Sequence, residues 1–345
     1  MKMKRLLSKI LVCFILLITT VPIVQASPTN LSLSDLRRDY VEKYINFVEG
    51  TTITAIAEAN LLDVANSQVI AVCYSLSSGG YAIIDIQTNL IYEYSLEADS
   101  PYSRQTEPYY YAGPNNYFVK ENSSLFVHTI DNTLKANTTS VVVATTGFSD
   151  YRASINSVRS LEDKIADLVA AEANPTRAIA QGNLTSALST DYLNGFCGPT
   201  SMYNLLKYQG KIRNPPSPTP IDEIVIIATY TGITVSLSSL VNGTINYLQN
   251  YNVVGTVFYC NYSWAMIVNR IGMNRPITLG TNGGGLATGG HVQTVHGYYS
   301  NDIPTSLVYI RIIYVNNGWG SNNIAITYDN AYGVPSYLKD HVYVN

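Results

Sequence analysis

Asn194-Gly195-Phe196-Cys197-Gly198-Pro199-Thr200 sets a cysteine on the first turn of a helix that continues to about Tyr208, with Met202, Leu205 and Leu206 as its inward face. Pro199 fits the first turn, where a missing N–H costs nothing. A thiol in that place meets the positive end of the helix dipole and backbone N–H groups without helical partners, and both favour thiolate over thiol. The same residues also suit a small buried hydrophobe at a helix start, so the rest of the chain decides between a nucleophile and a packing residue.

Downstream, Asn214-Pro215-Pro216-Ser217-Pro218-Thr219-Pro220 reads as a stiff extended connection. Residues 221–229 and 236–248 read as helices, 253–259 as a strand, and 263–271 as a helix with Trp264, Ile267 and Ile271 inward. Four strands follow at 276–279, 291–299, 306–315 and 324–328, so helices come first and a sheet after. Upstream, Ser34-Asp35 caps a helix that Gly50 stops. A meander follows at 69–74, 81–86 and 90–94, with further strands at 125–130 and 140–144. A second helix carries Ile155, Val158, Leu161, Ile165, Leu168 and Val169 and ends near Asn174-Pro175. Residues 176–190 are small and polar, which predicts an exposed link and a domain boundary there. The chain is therefore α+β, with a small α+β domain over 27–180 and a second domain over 181–345.

Lys2, Lys4 and Arg5, an apolar run over 10–18 and Val24-Gln25-Ala26 make residues 1–26 a secretory signal peptide. No later stretch approaches the roughly 20 apolar residues of a spanning helix, so the expected product is secreted, extracellular and without a stable membrane anchor. Charged residues are only 13% of the chain and the net charge is -3, without basic blocks, which argues against nucleic acid as a partner. Cys13 leaves with the signal, and Cys73, Cys197 and Cys260 remain, an odd number that leaves at least one thiol unpaired within a monomer. No CxxC pair or Cys/His cluster supports a Cys73–Cys260 bridge or a metal site, and no cofactor is expected.

A cysteine nucleophile needs a base and a polar group to orient it. Of four histidines, His128 lies in the upstream half and His341 near the C-terminus, whereas His291 opens a strand after the glycine-rich stretch from Gly280. Strand alternation puts His296 on the opposite face from His291. At the end of the next strand comes Val315-Asn316-Asn317-Gly318-Trp319-Gly320, where an amide oxygen can accept the imidazole N–H. Asn-Gly is also a strong turn signal in its own right.

Cys197-Gly198-Pro199-Thr200 with Asn204, Lys207-Tyr208 and Gly210, Gly290-His291-Val292 with Gly297-Tyr298, and Asn317-Gly318-Trp319-Gly320 together resemble papain-like cysteine peptidases, and among them the streptopain-like bacterial group. The Cys-Gly-Pro opening is also similar to that of bacteriocin leader peptidases. The upstream Gly79-Gly80-Tyr81-Ala82-Ile83-Ile84-Asp85 is similar to bacterial propeptides of this kind. The resemblance implies a papain-like domain over 181–345, with Cys197 as nucleophile in a thiolate–imidazolium pair with His291, the general base. It makes Asn317 the orienting residue, with Asn316 as the alternative one position away. Where the family has a glutamine for the oxyanion, this chain has Asp191, and Asn194 is the candidate amide donor. The implied product is a secreted cysteine endopeptidase made as a zymogen, acting on protein or peptide and held by its own propeptide over 27–180. Leader-peptide processing or acyl transfer by the same triad, and a degenerate surface binding protein, are the alternatives.

Overall fold

The computed structural model describes residues 31–345 apart from 131–134, 138, 140, 143–145, 156–158, 174–177, 185–190, 194, 234–235, 261–262, 283–289, 303–308, 322 and 329–337. Residues from Arg37 to Asn345 make one compact unit, and those before Arg37 make a separate short one. Helix α1 (Leu33–Glu49) starts at Ser32, whose hydroxyl accepts the Asp35 N–H at 3.1 Å, slightly ahead of the Ser34-Asp35 cap read from the sequence. Tyr40, Val41, Tyr44, Ile45 and Val48 form its buried face.

Strands β1 (Ala55–Asp63), β2 (Val69–Leu76), β3 (Tyr81–Asp85) and β4 (Ile91–Ser95) form an antiparallel meander, the last three as expected. Then come β5 (Tyr109–Tyr111), β6 (Tyr117–Lys120), β7 (Leu125–His128) and β8 (Lys135–Asn137). Thr139, Val141 and Val142 are helical, which corrects the strand expected over 140–144. The single helix expected from Ile155 is instead α2 (Thr146–Ser154) and α3 (Leu161–Glu172). Ser160 starts the second of them by accepting the Asp163 N–H at 3.0 Å.

Strand β9 (Ala178–Asn183) occupies the stretch expected to be an exposed link. Its six residues pair with the far end of β12, from Asn183↔Gly297 to Ala178↔Asp302. Helices α4 (Cys197–Tyr208), α5 (Pro220–Thr231) and α6 (Leu237–Asn250) follow, then β10 (Val257–Cys260) and α7 (Trp264–Gly272). The last strands are β11 (Ile277–Asn282), β12 (Gly290–Asp302), β13 (Tyr309–Asn316), β14 (Ile324–Thr327) and β15 (Leu338–Val344). Helices before sheet is the order read from the sequence; β15 was not foreseen.

Among the described residues all these strands join one sheet, in the order β10-β15-β11-β12-β13-β14-β4-β3-β2-β1-β5-β6-β7-β8, with β9 on β12. The join between the upstream and downstream strands is β14 on β4, with Ala325↔Tyr94 and Ile326↔Glu93. Around it Asn323 Nδ2 donates to the Glu97 carboxylate at 3.0 and 3.1 Å, and Tyr314 donates to Glu49 at 2.9 Å. One buried cluster contains Ile83, Tyr92 and Tyr117 from upstream with Ile313, Val315 and Ile326 from downstream. A second holds α4 in place: Met202, Leu205 and Leu206 pack with Ile224, Ile227, Leu240 and Tyr247 of α5 and α6 and with Val292 of β12. Burying each such side chain is worth about 1.5–3 kcal/mol, so the Cys197 end of α4 is fixed from behind by packing.

Candidate active site

Cys197 is the first residue of α4, and Phe196 before it offers no side-chain cap. The first helical bond runs from the Thr200 N–H to the Phe196 carbonyl at 2.8 Å. The first-turn N–H groups therefore point out of the helix end, where the dipole adds positive potential. Cys73, by contrast, is a buried free thiol, pushed up to about 12 by desolvation, with the Ser100 hydroxyl opposing that shift and Glu93 adding to it. Of these two described thiols only Cys197 is partly exposed, and a buried protonated thiol such as Cys73 is chemically inert. The Cys260 side chain lies outside the described set.

His291 sits near the start of β12, opposite Thr281 of β11, and is buried. Its Nε2 lies 2.6 Å from the main-chain oxygen of Asn317. A carbonyl only accepts, so Nε2 carries the proton, and in the neutral ring Nδ1 keeps the lone pair of a base. Desolvation lowers the imidazole from 6.5 to about 3, against the opposing bond to Asn317 and with a further push from His128. Burial thus favours the neutral ring, and the Asn317 carbonyl favours the tautomer with its proton on Nε2.

The Asn316–Trp319 turn closes the arrangement. Gly318 has φ 72°, and a Cβ placed on it would lie 3.8 Å from both Cα and Cβ of Cys197 and 3.6 Å from the Val292 oxygen. The turn is therefore seated directly on the residue that bears the thiol. Asn317 holds His291 through its main-chain carbonyl, while its side-chain oxygen accepts the N–H groups of Trp319 at 2.9 Å and Ser321 at 3.1 Å. Asn316 accepts the Gly318 N–H at 2.8 Å and so shapes the same turn. The Trp319 ring lies flat on the His291 ring, with centroids 3.9 Å apart and planes 11° apart. The Asn316–Trp319 turn thus borders Cys197 at Gly318 and holds the His291 imidazole through the Asn317 carbonyl.

Residues 177–339 match the model of the Peptidase_C39 like family. The match supports a C39/papain-like cysteine peptidase family for this part of the chain, and with it cysteine peptidase, hence hydrolase, chemistry; the mixed α+β architecture with its large sheet is consistent with a papain-like peptidase domain. No curated protein matches the chain.

Within the C39-like segment, the other sequence candidates separate. The Asp191 carboxylate lies 3.7 Å from Lys207 Nζ, both partly exposed. Asn194 lies outside the described residues, as does the glycine-rich 283–289 stretch. His296 is buried away from Asn317, with Nδ1 3.0 Å from the Asn183 side-chain oxygen on β9. The β12–β13 register shifts between Val295 and Gly297, so the strand is irregular where His296 sits and simple alternation does not carry through to it. Trp264 packs edge-on against Tyr298, with ring centroids 5.8 Å apart, and lies against Tyr328; Trp319 alone of the two tryptophans touches His291.

Sequence reasoning missed that Trp319 is also contacted from the upstream half, by His128 with ring centroids 4.6 Å apart. No local signal announced it, because the contact joins residues on separate halves of the chain. The nearest hint was compositional, a histidine inside an apolar strand.

Proposed function

We propose that this protein is a secreted cysteine endopeptidase in which Cys197 is the nucleophile, His291 the general base and Asn317 the orienting residue. The observation that carries the reading is the His291 Nε2–H bond to the Asn317 carbonyl, at 2.6 Å, in a turn whose Gly318 borders Cys197. That bond leaves Nδ1 as the base. As Sγ attacks the peptide carbonyl carbon, the thiol proton passes to His291 Nδ1 and a tetrahedral adduct forms. In this reading the Cys197 N–H at the α4 terminus donates to the oxyanion, with Asn194 as the candidate amide donor, whereas the carboxylate of Asp191 can only accept. Collapse sends the Nδ1 proton to the leaving amine. Water then attacks the thioester, gives its proton to Nδ1, and the returning proton restores the thiol and frees the acid.

Export is supported by the basic, apolar and small-residue pattern of residues 1–26. The streptopain-like affinity rests on the residues quoted for it, chiefly Asn317-Gly318-Trp319-Gly320. For the upstream half there are two readings. One makes residues 27–180 the propeptide of a zymogen, removed near residue 180. The other makes them a permanent half of the enzyme, and it is favoured by the β4–β14 pairing, the shared core and the position of β9 across the expected cut.

Casein hydrolysis by the full chain under reducing conditions tests the chemistry. Cys197→Ala and His291→Ala are each expected to abolish it, and undiminished hydrolysis in either variant removes the mechanism.

A further inference from the structure

Trp319 is buried against two imidazoles, with ring centroids 3.9 Å from His291 and 4.6 Å from His128. His128 is itself fully buried, and its Nε2 donates to the Asn115 carbonyl at 3.0 Å. The Asn115 amide donates in turn to Gln293 Oε1 at 2.7 Å, and both side chains are completely enclosed. Gln293 is two positions from His291 on β12, hence on the same face of the strand. Asn115 adopts φ 64°, a left-handed conformation that asparagine tolerates better than most residues, and its N–H bonds the buried Glu93 carboxyl. Tyr111 and Tyr117 donate to that same carboxyl at 3.0 and 2.7 Å. Glu93 lies on β4, directly opposite Ile326 of β14.

Resting on the peptidase reading above, we infer that Asn115 and His128 are positioning residues for the catalytic base, and that the upstream half therefore stays with the active enzyme. Neither residue touches the reacting atoms. Asn115 ties the strand that carries His291 through Gln293, and His128 backs the Trp319 ring against which the His291 plane is set. Emptying the space behind Trp319 leaves a cavity into which that ring relaxes, and the imidazole loses the surface that fixes its plane. A displacement of about 1 Å in a catalytic group is enough to cost up to about 100-fold in rate. A removable inhibitor has no need of such a bond network, because it is buried behind the base instead of lying across the thiol.

Two measurements on the full chain test the inference. Active molecules are labelled at Cys197 with a biotinylated epoxide, captured without denaturation, and assayed by mass spectrometry for peptides from 37–173. Stoichiometric recovery of those peptides with the labelled Cys197 peptide is expected; labelled, active molecules lacking them overturn the inference while leaving the peptidase reading intact. Absence of both labelling and hydrolysis overturns the two together. In parallel, His128→Ala is expected to lower kcat by about tenfold or more with KM nearly unchanged. His128→Phe, which restores a ring behind Trp319, is expected to recover most of that loss. Trp319 fluorescence, read in a Trp264→Phe background that leaves one tryptophan, is expected to shift to longer wavelength in His128→Ala and to return in His128→Phe. An unchanged kcat in folded His128→Ala, or a loss that His128→Phe does not repair, contradicts the positioning role.

Discussion

His291 and His296 lie on the same strand, both buried, and desolvation lowers both imidazoles from 6.5 to about 3. Their neighbours differ. His291 gives its Nε2–H to a carbonyl in the turn that rests on Cys197, whereas His296 meets the Asn183 side chain of β9 and belongs to the strand pairing that anchors residues 178–183. A displaced pKa therefore does not single out the proposed base in this protein. What singles it out is a partner that fixes the tautomer next to the proposed nucleophile.

The sharpest way to break this comparison is to exchange the roles by mutation. His291→Ala is expected to lower kcat/KM by about 10³-fold or more, as removal of a catalytic base does elsewhere. His296→Gln is expected to keep kcat within about threefold and to lower the melting temperature instead, because it disturbs a buried polar contact worth about 1 kcal/mol. Comparable loss of kcat in both variants would mean that His291 has no special role.

A smaller effect sharpens the part played by the turn. Because the bond to His291 uses the main chain of residue 317, Asn317→Ala keeps the acceptor and loses only the side-chain bonds to the Trp319 and Ser321 N–H groups. The expected loss in kcat is about tenfold, equivalent to about 1.4 kcal/mol of transition-state stabilisation. A loss equal to that of His291→Ala would show that the side chain itself orients the ring.

The mildest prediction concerns pH. A histidine lowered from 6.5 to about 3 stabilises the fold fully above 6.5, and that contribution is lost as pH falls toward 3. Glu93 runs the other way: burial raises it from 4.5 to about 8 against the bonds from Tyr117 and Tyr111, so its contribution is full below 4.5 and is lost as pH rises through 8. Between 4.5 and 6.5 the two histidines outweigh the one carboxyl, and above 6.5 the carboxyl acts alone, so melting temperature is expected to peak near 6.5. His296→Gln should flatten the acid side and Glu93→Gln the alkaline side. Unchanged slopes in urea melts across this range would contradict these assignments.

The C-terminal helices were legible because capping residues, Pro220 and apolar spacing agree with one another: Thr219, Ser236 and Ser263 each accept a first-turn N–H where the pattern placed a helix start. The proposed trio of Cys197, His291 and Asn317 rests on order along the chain, which can be read without knowledge of the three-dimensional path. The valine-rich run after Thr139 looked like a strand by β propensity, yet Val141 and Val142 are helical and pack with Tyr110, Phe118 and Phe126. β9, with its glycine, glutamine and asparagine, carries little local preference and exists through its pairing with β12. Asn115, His128 and Gln293 were beyond reach for the same reason, since their placement is fixed by contacts between distant stretches and not by any pattern within one.

The most direct test of the central claim is titration of the full chain with an irreversible thiol-directed epoxide at neutral pH, following adduct position by peptide mapping and casein hydrolysis on the same samples. The prediction is a single activity-linked adduct at Cys197, with hydrolysis falling in proportion to the fraction modified and no comparable reaction at Cys73. Full modification of Cys197 with hydrolysis intact, or loss of hydrolysis with Cys197 unmodified, would contradict it.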